Sequence, residues 1–160
     1  MSISPHPYEF IIRPECNQKC EYCYIYKHGN ELYKNHLSKN EIIHNFDLFL
    51  NFLFIQKKCF SRDIEFFAGD MFEDDLFFDL LDILKKYFNI IKEKYSYIFD
   101  NESIIVIPCN LSFVYYHPEK ADRFLSEQKL FREKYNVRLM FSWSSDGLYA
   151  TKSREKKELS

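Results

Sequence analysis

Ser103-Ile104-Ile105-Val106-Ile107-Pro108-Cys109-Asn110 is a short apolar run that stops at turn residues. A run this short and this continuously apolar reads as a strand covered on both faces. Downstream, Pro118 at a first-turn position starts a helix through about Tyr135, and Val137-Arg138-Leu139-Met140-Phe141-Ser142-Trp143 supplies a further strand. Upstream, Glu73, Asp74 and Asp75 suit the positive end of a helix whose apolar face includes Leu76, Leu80, Leu81, Leu84, Phe88 and Ile91. Before that helix, Asp63-Ile64-Glu65-Phe66-Phe67 is a short strand running into Ala68-Gly69-Asp70. Ser38-Lys39-Asn40-Glu41 reads as a capping box, followed by an apolar stripe at helical spacing from Ile42 to Phe54. Tyr8-Glu9-Phe10-Ile11-Ile12 is the first strand. Alternating strands and helices imply an α/β chain with a parallel sheet of about four βα units.

The 160-residue length fits one domain with a real core. A formal net charge of -2 gives no general attraction to nucleic acid or to an anionic membrane. Met1-Ser2-Ile3-Ser4-Pro5-His6-Pro7 lacks the layout of a signal peptide, and no apolar run approaches bilayer length. Five cysteines are an odd count for a disulfide framework, so the expected setting is the reducing cytoplasm. Aromatic residues make up 19% of the chain, and no site is assigned to them.

Directly after the first strand comes Cys16-Asn17-Gln18-Lys19-Cys20-Glu21-Tyr22-Cys23-Tyr24. Three thiolates on one short loop can converge on a single metal centre but cannot close it. A [4Fe-4S] cube held this way keeps one iron open to a substrate or cofactor. The competing readings are a zinc knuckle, or cysteines adjacent by chance. Zinc sites usually show two Cys-x2-Cys pairs, or one pair with histidines at ligand spacing. His28 and His36 lack such spacing, and Cys59 and Cys109 stand alone.

The Cys-x3-Cys-x2-Cys loop with an aromatic before its last cysteine resembles the signature of the radical S-adenosylmethionine (radical SAM) enzymes, in the form common among peptide- and protein-modifying members. The resemblance implies a partial, truncated TIM-barrel-like core and a cluster on Cys16, Cys20 and Cys23. It also implies S-adenosylmethionine on the open iron, an external electron donor, and a 5'-deoxyadenosyl radical that abstracts hydrogen from a peptide or protein. In parallel sheets the functional loops lie beyond the carboxyl ends of the strands. Gly69 and Asp70 stand where the family typically has Gly-Gly-Glu, the segment that binds the cofactor's amino group. Asp70 is one methylene shorter than that glutamate, and the bland alternative is a helix-capping turn. Asn110 falls at the family's Thr-Asn position, as a ligand contact or a turn residue. Ser144 and Asp146 resemble the Ser-x-Asp-Gly segment near the ribose. Arg154 matches an arginine that contacts the cofactor carboxylate, a task suited to a guanidinium. Tyr22 resembles the aromatic beside the adenine.

The family's partial barrel generally has six strands, so residues 1–160 are expected to form one core domain, incomplete at its C-terminal side. An open sheet edge after the fourth strand calls for self-association or a covering partner. Outside the radical SAM reading stand a non-catalytic iron-sulfur module that docks to a full-length enzyme, and a zinc-binding interaction domain.

Overall fold

The computed structural model describes residues 1–13, 15–16, 18–20, 23, 28, 37–142 and 154–156, with the backbone alone for 18, 19 and 154–156. The described residues include the strands β1 (Ser2–Ile3), β2 (Tyr8–Ile11), β3 (Gln18–Cys20), β4 (Cys59–Phe60), β5 (Ile64–Phe67), β6 (Ser103–Pro108), β7 (Val137–Ser142) and β8 (Arg154–Lys156). The α-helices within 37–142 are α1 (Lys39–Leu50), α2 (Leu76–Lys94), α3 (Ser112–Tyr116) and α4 (Pro118–Tyr135). The central sheet is parallel with the order β2-β5-β6-β7. Each new strand of this sheet is laid beside the one before it.

The capping box forms both of its bonds. The Glu41 amide donates to Ser38 Oγ at 3.3 Å, and the Ser38 amide donates to Glu41 Oε2 at 2.8 Å. Ser38→Ala is therefore expected to lower stability by about 1 kcal/mol. It should appear as a lower urea midpoint with an unchanged denaturant slope. Past Leu50 the helix widens into a π-helical segment, Asn51–Gln56. The N-terminal chain then runs beside the chain that follows this helix, with Ser2 donating to Lys58, Ser4 to Phe60 and Tyr8 to Asp63. The next donor in line, the His6 amide, turns instead to Ser4 Oγ at 3.3 Å, which breaks this ladder into the short β1·β4 pair and the longer β2·β5 pair.

Among the described residues, the helices that pack on the sheet do so on one face. Phe46 of α1 meets Phe10 and Phe66, and Phe124 of α4 stacks on Phe141 with ring centres 4.4 Å apart. The other face carries Glu9, Ile11, Glu65, Phe67, Arg138 and Met140, and Ile11 is 73% exposed. The expectation that the run at 103–107 is covered on both faces does not hold. Its residues alternate between buried and half-buried, because crossovers of one hand between successive neighbours put every helix on the same side. No helix among the described residues is long and apolar enough to cross a membrane.

Candidate functional site

The β2·β5 pairing continues past the strands that define it. Ile12 donates to Phe67 at 2.8 Å, Gly69 donates to Arg13 at 2.9 Å, and Asp70 donates to Glu15 at 2.6 Å. Glu15 and Cys16 are thereby carried alongside Ala68, Gly69 and Asp70 at the carboxyl edge of the sheet. Beyond β6, Cys109 donates its amide to Ser142 at 3.1 Å, which holds the neighbouring strand end in line. Asn110 then reaches back, with its Nδ2 3.6 Å from Cys16 Sγ and its side chain hydrogen-bonded to Asp70. Cys16, Asp70 and Asn110, from three successive strand ends, thus meet. Leu111 follows in the left-handed region at φ 61°, a strained conformation for leucine. The turn is held by Ser112 donating to Asn110 Oδ1 at 2.9 Å and Leu111 donating to Cys109 Sγ at 3.1 Å.

Asp70 is only 1% exposed, and its Oδ1 accepts the Phe72 amide at 2.8 Å. This is a turn bond and not a helix cap, since α2 starts at Leu76. Burial pushes the Asp70 carboxyl above the ordinary range, against the Phe72 amide, Arg13, Asn110 and Lys120, which act to lower it. Burial also drives the Cys109 thiol up to about 12, against the Leu111 amide and with the help of Asp70 and Cys16. A thiol shifted that far stays protonated and inert at neutral pH.

Sequence reasoning missed Arg13. Its guanidinium forms a two-point pair with Asp74 at 2.9 and 3.0 Å, and Asp74 Oδ1 also accepts the Leu76 amide that opens α2. This pair ties the approach to the cysteine loop to the start of α2. The signals that could have found it are an arginine just past a strand end and the acidic run at 73–75. Burial raises Asp74, but Arg13, the Leu76 amide and Lys39 outweigh it and hold the carboxyl below the usual range.

The two aspartates therefore have opposite pH signatures. Folded Asp70 keeps its proton at pH values where the unfolded chain has lost it, so its contribution to stability falls as pH rises through that window. Asp74 contributes stability above the unfolded carboxyl pKa, and this is lost as pH falls. Asp70→Asn keeps an acceptor for Phe72. It is expected to raise the urea midpoint at neutral pH and leave it nearly unchanged at about pH 3. Asp74→Asn is expected to lower the neutral-pH midpoint. A neutral-pH midpoint for Asp70→Asn below that of the wild type would mean that the carboxylate stabilises the fold.

Cys16, Cys20 and Cys23 are half-buried, and among the described residues, which include all five cysteines, no disulfide forms. The Cys23 amide donates to the Cys20 carbonyl at 3.0 Å, closing a tight turn. β3 pairs antiparallel with β8, which sets the backbone of Arg154 opposite Cys20. Three thiols on one loop are a donor set suited to iron or zinc. Among the described residues, no three His, Cys, Asp or Glu side chains are gathered closely enough to hold a metal ion. Tyr22, Ser144, Asp146 and the side chain of Arg154 lie outside the described residues. Gly69 is half-buried beside Asp70. No protein family, curated protein or solved structure matches this chain.

Proposed function

We propose that this chain is a radical SAM iron-sulfur protein with a partial-barrel core, acting on a peptide or protein in the cytoplasm. Cys16, Cys20 and Cys23 would hold a [4Fe-4S] cluster, and the neighbouring strand ends would receive S-adenosylmethionine. The observation that carries this reading is the meeting of Cys16 with Asp70 and Asn110. A cofactor bound to an open iron has to touch the adjacent strand ends as well, and here those ends carry a carboxylate and an amide. Reductive cleavage of S-adenosylmethionine to a 5'-deoxyadenosyl radical, with the electron from an external donor, is the chemistry such a cluster supplies when bound.

The chain's own groups divide the work of binding. Asp70 offers an acceptor for the cofactor's amino group, and Gly69 allows close backbone approach. Arg154 suits the cofactor carboxylate, and the pairing of its backbone with Cys20 keeps it near the cysteine loop. Asn110, Ser144 and Asp146 are assigned to the remaining polar contacts, and Tyr22 to the adenine.

The burial of Asp70 favours a second reading, in which the cluster is bound without S-adenosylmethionine, since one carboxylate oxygen is already engaged by Phe72. Electron paramagnetic resonance of the anaerobically reconstituted, reduced protein separates the two. A [4Fe-4S] signal that changes when S-adenosylmethionine is added is the expected result. A signal indifferent to it would establish the second reading, and the absence of a cluster would overturn both.

A further inference from the structure

The sheet has two edges among the described residues, β2 and β7, and their backbones can be read position by position. Tyr8 donates to Asp63 and Ile12 to Phe67, so the even-numbered residues of β2 bond to β5 and those of Glu9 and Ile11 point outward. Ser103 donates to Asn136 and Cys109 to Ser142, so the even-numbered residues of β7 bond to β6. The backbone groups of Val137, Leu139 and Phe141 therefore point outward, while their side chains face the helices, and Gln128 Nε2 of α4 takes the Leu139 carbonyl at 3.3 Å from that side.

The helix layer ends in the same two places. Asp47 of α1 faces α2, bonded to Lys86 and Tyr87 at 2.8 and 2.9 Å. Phe49 lies about 200° around the helix from Asp47, on the side turned away from α2, and Phe52 follows in the π-helical segment. They are 46% and 42% exposed. Glu127 of α4 likewise faces α2 through Lys85 at 2.8 Å. Leu125 and Arg132 lie about 160° and 140° around from Glu127, measured in the same sense. They border a cavity of about 430 Å³ between α4 and β7, lined also by Gln128, Lys129, Arg138, Leu139 and Met140.

We propose that two copies join edge to edge, β7 of each against β2 of the other, closing an eight-stranded parallel barrel with a two-fold axis along its centre. The occupant of each edge is a second copy because the two ends of one chain are complementary. At the β2 end, Phe49 packs edge-on against Phe10 and Phe52 carries Lys57 over its ring at 5.3 Å, yet both stay over two-fifths exposed, and the β7 end offers an apolar groove rimmed by cations that seat well over aromatic faces. Glu9 of β2 and Arg138 of β7 stand on the same face of the sheet, away from the helices, and are opposite in charge. Within the rim, Arg138 already pairs with Glu102 at 2.9 Å and Lys129 lies 4.0 Å from Glu133.

The strands of the central sheet all run in parallel and their helices share one face, so a further parallel strand continues the sheet at either edge. Eight strands so arranged close on themselves, and closure removes both edges. The contact is head-to-tail and closes after two copies. Ile11, Phe67 and Met140, exposed on the uncovered face, become the lining of the barrel interior. Because the strands run the same way, both cysteine loops open at one mouth. The inference does not rest on the proposed chemistry.

Sedimentation equilibrium of the purified chain at micromolar concentration tests it, with circular dichroism confirming that each variant is folded. The wild type is expected at twice the 19.5 kDa chain mass. Phe52→Asp and Leu125→Asp, both at exposed positions, are each expected to be monomeric. Mixing the two variants rebuilds one intact joint and confines both lesions to the other, so the mixture is expected to regain dimer. A monomeric wild type would overturn the proposal and leave the edges to a partner of another sequence. A dimer lost in Phe52→Asp but kept in Leu125→Asp would replace it with an α1-to-α1 contact. A mixture that stays monomeric would exclude the head-to-tail joint.

Discussion

Cys20→Ala is expected to strip the anaerobically reconstituted protein of its iron, from about four atoms per chain toward background. Cys20 stands in the middle of the proposed ligand set, and the two remaining thiolates cannot hold the cube firmly. The turn at this position should survive the change, because the Cys20 group that accepts the Cys23 amide is the main-chain carbonyl, which alanine retains. Cys20 is half-buried, so the urea midpoint of the metal-free variant should move by no more than about 0.5 kcal/mol equivalent. Loss of iron with an intact fold would identify a ligand. Iron and absorbance at wild-type levels would sink the ligand set. Stoichiometric zinc in a colourless wild-type protein would move the same three thiols to the zinc reading.

The largest loss of stability is expected for Phe88→Ala. Phe88 is completely buried on α2, with its ring 5.6 Å from Phe60, 6.1 Å from Phe99, 6.2 Å from Phe131 and 5.4 Å from Tyr135. It thus joins β4, the 3-10 turn Ser96–Phe99 and α4 to the central helix. Removing a ring from such a site costs about 3–5 kcal/mol, because its neighbours collapse only partly into the space. Against a total of about 5–15 kcal/mol for a domain, much of the fold's margin would disappear. Tyr115→Ala is the control, since Tyr115 is 83% exposed and should shift stability by less than about 0.5 kcal/mol. Chemical denaturation of the two variants side by side measures the contrast. Equal effects would mean that the aromatic core is not where the ring contacts put it.

What the sequence revealed follows from where its side chains carry a pattern. Ser38 with Glu41, and Pro118 at a helix start, are local signals whose bonds close within one turn, and both helices begin where those residues indicate. The four strands of the central sheet were legible because each is an apolar run between turn residues. β1 and β4 are two residues each and too short to show any periodicity. The π-helical turn at Asn51–Gln56 is a backbone arrangement that leaves the apolar stripe almost unchanged. The uncovered face of the sheet was hidden by Ile104 and Val106, which are apolar although they stand on the more open side. At the candidate site, the cysteine loop stood out by its spacing, and Asp70 and Asn110 by their places at strand ends and their resemblance to the radical SAM segments there. The Arg13–Asp74 pair and the nearness of Cys109 were not, because both depend on how far neighbouring strands extend past their last regular bond.

The neighbour-by-neighbour strand order also acts as a timetable. Ile64 finds its partner in β2, Ile105 in β5 and Leu139 in β6, so each pairing closes a loop of a few dozen residues onto a surface completed just before. A ribosome adding about 5–20 residues per second gives each helix and strand a few seconds to settle before the next emerges. The nascent chain would then grow like a wall laid one course at a time, its newest strand the template for the strand that follows. The longest wait falls between β2 and β5, when the first strand of the sheet stands unpaired until α1 and its π-helical extension have been made.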